Sequence, residues 1–408
     1  MDAWVSENLD KAAEVAARGV CDHCLGRMFA KCGENLTDLT RGEMLRAALR
    51  EAGRDSPREE VCPICEDLFD LVPRFAQAVA DKIAEAESES FLVGCRVDPG
   101  QAKNEKLMVE ELGIETSEPL KTELNREIGK VALPMINRRV EFKEPQIVAC
   151  IDTRFAEVTL DIAPVFIAGR YTKMSREIPQ TRWPCTKCRG KGCPRCHGTG
   201  QMYQASVQGV IGDVALEMSG GDMEFFHGMG REDIDARMLG TGRPFVLEIS
   251  HPKVRDIDLG ELERRANRSV LANFSGLHFV PRSAVAAYKG SDPDKTYRAH
   301  VVTQTKVNKQ DVSEVASSFE NVHLAQRTPE RVEHRRADLV RDRMIYKVEA
   351  ENIEDTSFDL ILRTQSGTYV KEFVSGDEGR TQPNFSERLG TQCRVYLLDV
   401  LDIDYHED

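Results

Sequence analysis

The stretch from His227 to Ile249 reads HGMGREDIDARMLGTGRPFVLEI. It sets two acids, Asp233 and Asp235, among three arginines, Arg231, Arg237 and Arg243, and then runs directly into an apolar segment, Phe245 to Ile249, that reads as a strand. Gly228, Gly230, Gly240 and Gly242 let the backbone turn tightly or approach a ligand, because glycine tolerates positive φ. A carboxylate with guanidinium groups within about 4 to 6 Å stays ionised. It can act as a nucleophile or base, while a spare arginine holds phosphate. On residue types alone, a structural ion-pair loop explains the stretch equally well.

The chain around this stretch has 408 residues, enough for two or three domains with cores of their own. No apolar run reaches the ~18 residues of a membrane helix and no basic-then-apolar leader is present, so the expectation is a cytoplasmic protein that meets no membrane. A net charge of −13 argues against nucleic-acid binding by bulk charge, since neutralising phosphates takes lysine and arginine. The sum hides a local imbalance. From Arg170 to Arg195 the cations Arg170, Lys173, Arg176, Arg182, Lys187, Arg189, Lys191 and Arg195 are opposed only by Glu177. That is either a basic face or an ordinary solvated charge run.

Eight of the twelve cysteines fall into four Cys-x-x-Cys pairs, a spacing that suits reduced thiolates converging on metal. Cys21 and Cys24 follow a helical segment that ends at Gly19; Cys62 and Cys65 follow a second, Thr40 to Ala52, and precede a third, Glu66 to about Ala86. Together the two pairs make one structural zinc site, with a redox Cys-x-x-Cys as the rival. Further on, CTKCRGKGCPRCHGTG carries Cys185, Cys188, Cys193 and Cys196 among glycines, a second metal signal. The chain therefore calls for zinc at one or two structural sites.

Between the clusters, strand-like runs at Phe91 to Val97, Gln146 to Ile151 and Val158 to Ile167 alternate with helical patterns at Lys103 to Leu112 and Glu123 to Ala132. After Gln204 the text reads as strands: SVQGVIGDVALEMSG, Phe245 to Ile249, Leu277 to Val280, Arg298 to Val302, Met344 to Val348, Phe358 to Arg363 and Val395 to Val400. One helix, Leu259 to Asn267, interrupts them. The fold class is α+β.

The segment REDID resembles the catalytic loop of pseudouridine synthases, and GREDIDARMLGTGRPF resembles one branch of them: the archaeal and eukaryotic stand-alone tRNA synthases of the T-loop, which carry a THUMP-type RNA-binding region upstream. DKTYRAHVVT and QSGTYVKEF match the same branch in the same order, and FIAGRYTKMSREIPQT and HLAQRTPERVEHRRADLVRDR also resemble the family. The resemblance implies a four-cysteine helical region at 1–88, a THUMP-like α+β domain at 89–182, a cysteine-rich knuckle at 183–203 and a mixed-sheet pseudouridine synthase domain at 204–408.

It also implies roles. Asp233 would be the catalytic nucleophile or base, with Asp235 holding Arg237 or the loop. Tyr297 would stack on the uracil from a strand. Tyr369 and Lys371 would share a strand face toward the pocket, with Lys371 where relatives carry the arginine that pairs with the catalytic Asp; Arg231, Arg237 and Arg243 would complete the substrate site. Arg170, Lys173 and Arg176 would contact tRNA phosphates, which position RNA without reading it. The reaction would convert uridine to pseudouridine at tRNA position 54, 55 or both after base flipping. Asp233 would attack C1′ or remove the 2′ proton; both routes stay open. tRNA is the expected partner, with no obligate protein partner and no organic cofactor. The alternative is a non-catalytic zinc and THUMP tRNA-binding adaptor or tRNA chaperone.

Overall fold

The structure, a computed structural model, describes residues 2–334 and 337–405; Arg335 and Arg336 of the basic segment lie outside the described residues. It divides into two compact units, one running to Ala163 and including His251–Arg255, the other formed by Pro164–Ser250 and Asp256 onward.

The first unit begins with helices α1 (Ala3–Ala16), α2 (Asp22–Arg27), α3 (Asp38–Glu51) and α4 (Val72–Ile83). The Cys21 side chain caps α2 by accepting from the backbone N–H of Cys24, and Thr37 caps α3 in the same way through Thr40. Next come β1 (Ser90–Arg96), α5 (Pro99–Leu112), α6 (Leu120–Ile136), β2 (Arg139–Val140), β3 (Ile147–Asp152) and β4 (Glu157–Ile162). The strands form a sheet in the order β2-β1-β3-β4, parallel except for the β3–β4 pair. Alternate residues of β3, Ile147, Ala149 and Ile151, are buried with Phe75 and Val79 of α4 and Leu124 and Ile128 of α6. One sheet face thus carries the core.

The second unit opens with β5 (Val165–Lys173), α7 (Val207–Ser219), β6 (Met223–Gly228) and β7 (Arg237–Ser250). It continues through α8 (Leu259–Ala266), β8 (Ala272–Phe279), α9 (Ser283–Gly290), β9 (Lys295–Thr303), α10 (Lys309–Ser317), β10 (Val322–Arg327), α11 (Glu330–Glu333) and β11 (Val340–Glu351). It closes with β12 (Ser357–Thr364), α12 (Val370–Ser375), β13 (Thr381–Gln382), α13 (Phe385–Leu389) and β14 (Cys393–Ile403). Ten strands form one mixed sheet in the order β13-β10-β11-β12-β9-β14-β7-β5-β8, with β6 also paired to β7.

Two sequence expectations change here. SVQGVIGDVALEMSG is the helix α7: Val207, Ile211 and Ala215 recur every fourth residue into the core and Ser206 caps the first turn, a helical period that the valines and isoleucine disguised as a strand. The segment Val165–Lys173, expected at the close of the THUMP-like region, is an interior strand of the large sheet, next to its edge strand. It lies between β7 and β8, and it is buried along most of its length because both faces are covered.

What positions the site is a change of partner along β7. Its first residues, Arg237 and Met238, pair in parallel with β14, while Phe245–Ser250 pair with β6. The loop joining β6 to β7 emerges in the gap. Two apolar clusters meet there, one around Phe226, Phe245 and Phe274 and the other around Phe319, Phe358 and Phe373, and Tyr297 packs against both.

Candidate active site

The loop from Met229 to Ala236 is held from beneath by side chains of β5 and the segment after it. The ammonium of Lys173, fully buried, donates to the carbonyls of Ile178 (3.0 Å), Asp233 (3.2 Å) and Ile234 (2.9 Å). Arg176 donates to the carbonyl of Asp235 at 2.9 Å, and Gln180 to that of Gly230 at 3.0 Å. Glu232 turns inward, accepting from the Tyr171 hydroxyl at 2.9 Å and from Arg243 Nε at 2.9 Å, while Arg243 also donates to the Met229 carbonyl at 2.7 Å. Burying Glu232 commits the next side chain to the opposite direction. Asp233 therefore faces the cavity, with its side chain 33% exposed. Gly240 has a different duty from the one its residue type suggested: a Cβ there would stand 1.8 Å from the Leu401 carbonyl oxygen, so it serves the contact with β14 and not a ligand.

The cavity holds about 470 Å³, within the range of small-molecule sites. Its wall takes Asp233 from the loop, Lys295 and Tyr297 from β9, Arg331 from α11, and Tyr369 and Lys371 from the start of α12. Arg331 Nη1 donates to Asp233 Oδ2 at 3.1 Å, and Lys371 Nζ stands 3.6 Å from the same oxygen. Arg331 is itself oriented by Glu372, at 2.6 Å. Lys371 makes its shorter contacts to Asp235, at 2.8 and 3.0 Å. Burial pushes the Asp235 carboxyl up, but the hydrogen bonds and charge of Lys371, with a share from Arg331, outweigh that and leave its pKa below the ordinary carboxylate value. Burial, only partly offset by Arg243, pushes the Tyr297 phenol up to about 12, with Asp233 and Glu232 adding to the rise. The phenol stays protonated at neutral pH and can donate a hydrogen bond. Lys295 is pushed down to about 8 by burial and by the charge of Arg243, and it donates to the Ser366 hydroxyl at 2.9 Å.

Comparison with known proteins places these features. A family profile described as the Pus10 THUMP domain, archaeal, matches residues 75–152, and one described as Pus10, C-terminal, matches residues 166–404. The tRNA pseudouridine synthase Pus10 of Methanothrix thermoacetophila is 37% identical, covering 98% of this chain and 95% of that protein. That of Methanothermobacter marburgensis is 39% identical, covering 98% of each. The chain belongs to the Pus10 family of tRNA pseudouridine synthases. Among solved structures the likeness is remote: a Cbf5-Nop10-Gar1 complex has 16% identity and a TM-score of 0.31, covering 50% of this chain and 46% of that one.

The family expected from REDID, DKTYRAHVVT and QSGTYVKEF is thus borne out, and so are the THUMP region and the α+β class. Several residues sit otherwise than the Pus10 resemblance implied. Lys173 cannot meet a phosphate in this structure, because its amine is fully buried and occupied by three carbonyls. Arg170 is likewise turned inward, to the carbonyls of Thr241 (2.9 Å) and Tyr405 (3.2 Å), and Arg176 pairs with Asp399 at 2.5 Å. Arg237 also pairs with Asp399, at 2.7 Å, and not with Asp235. Arg243 is 1% exposed and spent on Glu232, though one edge of it reaches the cavity wall.

Tyr369 and Lys371 do not share a strand. Tyr369 is the residue before α12 and Lys371 lies in its first turn, with Gln326 clamping the Tyr369 backbone through bonds of 2.9 and 3.1 Å. Arg231 remains exposed on the cavity rim and forms no ion pair among the described residues. Sequence reasoning did not single out Arg331 and Lys295 as lining this cavity, nor Glu372 as the residue that orients Arg331. Arg331 stood in the basic segment, but 98 residues from Asp233, and no local signal links the two.

Both cysteine quartets have their ligand atoms within 4.8 Å of one another. In the first, Cys21 and Cys65 sulfurs are 3.6 Å apart; in the second, the Cys185–Cys193, Cys188–Cys196 and Cys193–Cys196 separations are 3.9, 3.8 and 3.7 Å. Four sulfurs at ~2.3 Å from a tetrahedral zinc lie about 3.8 Å from each other, so both sets fit the ion. Neither quartet lines the cavity, and zinc bound there would cross-link chain segments without touching the reaction.

Proposed function

We propose that this Pus10-family tRNA pseudouridine synthase converts uridine to pseudouridine in the T-loop, at position 54, 55 or both, with Asp233 as the catalytic carboxylate. The observation that carries the reading is the convergence of Asp233, Arg331, Lys371 and Tyr297, from four separate segments, on one cavity. The T-loop position itself is supported by the resemblance of GREDIDARMLGTGRPF and QSGTYVKEF to the T-loop branch.

A uridine inside a folded loop must be extruded before its glycosidic bond is reached. The cavity is of a size to receive it, with Tyr297 placed to lie against the uracil. Arg331 and Lys371 fix the Asp233 Oδ2, so that the carboxylate attacks C1′ or removes the 2′ proton as the N1–C1′ bond breaks. The uracil turns in place, C5 bonds to C1′ as the ester to Asp233 breaks or the 2′ proton returns, the C5 proton leaves to a base, and N1 takes up a proton. Arg231 on the rim is free to hold a flanking phosphate. Zinc, bound by Cys21, Cys24, Cys62 and Cys65 and by Cys185, Cys188, Cys193 and Cys196, is structural.

The test is an unmodified tRNA transcript incubated with parent and Asp233→Asn protein, with pseudouridine mapped by carbodiimide primer extension. A T-loop stop present with the parent and lost in the variant is expected, tRNA binding being retained. A stop elsewhere in the tRNA removes the T-loop assignment; a stop persisting in Asp233→Asn and lost in Asp235→Asn transfers the catalytic role. No product from the parent, with tight binding, favours the adaptor.

A further inference from the structure

The second cysteine quartet sits in a knuckle whose stem is two short chain segments. Pro184 bridges Gln201, the Cys185 N–H donates to the Gly200 carbonyl at 2.7 Å, the Met202 N–H donates to the Trp183 carbonyl at 2.8 Å, and Trp183 packs edge-on against Tyr203. The two cysteine turns meet backbone to backbone. A Cβ on Gly200 would stand 2.3 Å from the Gly190 carbonyl oxygen, and one on Gly192 would stand 2.6 Å from that of Gly198. Between Cys185 and Cys196 no large apolar side chain exists to form a core, so the thiolates and their ion must hold the turns, and every other side chain is delivered to the surface.

What is delivered is one-signed. Asp and Glu make up 68 of 408 residues, so a 35-residue stretch would carry about six, yet residues 178–212 carry none. Lys187, Arg189, Lys191 and Arg195 are all exposed and form no ion pair among the described residues. The contrast is Arg182 at the stem, which is spent on Glu224 at 2.9 Å and Asp213 at 2.5 Å and anchors the knuckle to β6 and α7. An acidic chain that takes up a polyanion must gather its free cations where the polyanion lies, and here the knuckle gathers four.

We propose that the exposed face of this knuckle, through Lys187, Arg189, Lys191 and Arg195, contacts the phosphate backbone of tRNA outside the uridine pocket. The proposal rests on the tRNA reading above. Backbone contact of this kind adds affinity and orientation without sequence readout.

The test uses the full chain with Lys187, Arg189, Lys191 and Arg195 all changed to Gln, and measures tRNA affinity as a function of salt with zinc content as the check on folding. Each phosphate contact removed takes ~0.7 to 0.9 off the slope of log affinity against log salt. Loss of two contacts lowers the slope by ~1.4 to 1.8 and raises Kd roughly fifteen- to thirtyfold at 0.15 M salt. Should the fourfold variant lose zinc, the Lys187→Gln/Lys191→Gln protein must still show a smaller shift of the same sign. A parent that binds tRNA and a variant of equal zinc content with the same Kd and slope overturn the knuckle proposal alone, and point to an acidic protein surface as its partner. A parent with no tRNA binding overturns the knuckle proposal and the tRNA reading together.

Discussion

Replacing Arg243 by Met should cost stability first and catalysis only as a consequence. The sequence suggests a substrate contact, but the guanidinium is 1% exposed and pairs with Glu232, itself 1% exposed in its side chain, at 2.9 Å. Removing one member of a buried pair leaves the other charge uncompensated, at a cost of about 3 to 5 kcal/mol. Two features soften the loss here. Tyr171 still donates to Glu232 at 2.9 Å, and the Lys173 ammonium stands 4.0 Å away. The expectation is therefore the lower end, about 3 kcal/mol, or a fall in Tm of roughly 6 to 12 °C for a unit of this size. Scanning calorimetry and urea denaturation would measure it. Adding Glu232→Gln removes the stranded charge, and the double variant should recover part of the loss, as coupled neighbours do. An Arg243→Met protein with parental Tm and weakened tRNA binding would refute the argument and return Arg243 to the substrate.

Other predictions concern the pocket and the metals. Arg331→Met should lower kcat by roughly 10² to 10³, because it removes the closest charge on the Asp233 carboxylate, and it should also lower Tm, because it strands the buried Glu372; Arg331→Lys should recover part of both, and single-turnover rates on tRNA with a melting curve decide this. Lys295, held at about 8 in the folded state against an ordinary ~10.4, binds its proton more weakly than in the unfolded chain, so the parent should gain stability as pH rises between those values. Comparison with Lys295→Met isolates that gain, about 3 kcal/mol at most, and equal pH profiles would contradict it. Metal analysis should find two zinc ions per chain. Cys62→Ser should remove one and abolish cooperative unfolding of the N-terminal unit, since a structural zinc contributes about 10 kcal/mol or more; a chain with no zinc and an unchanged melting profile would remove the structural role.

The sequence by itself determined what local chemistry determines. Cys-x-x-Cys spacing marks both thiolate sets, because turn geometry fixes which sulfurs can share an ion. The motifs around Asp233, Tyr297 and Tyr369 marked the family, since a site's reactive residues travel with their immediate neighbours. Alternation found β9 and β12 but mistook α7, whose β-branched residues obscured a period of four. Only the tertiary structure decided which charge serves which partner. Ion pairs depend on distances across the fold, so Arg331 meets Asp233 from 98 residues away and Lys371 prefers Asp235. Arg170, Lys173 and Arg176 looked like an RNA-binding run in the text. Lys173 and Arg176 instead hold the loop that carries Asp233, and Arg170 binds the carbonyls of Thr241 and Tyr405, because β5 is flanked on both sides by β7 and β8 and burial leaves a cation no partner but the protein itself.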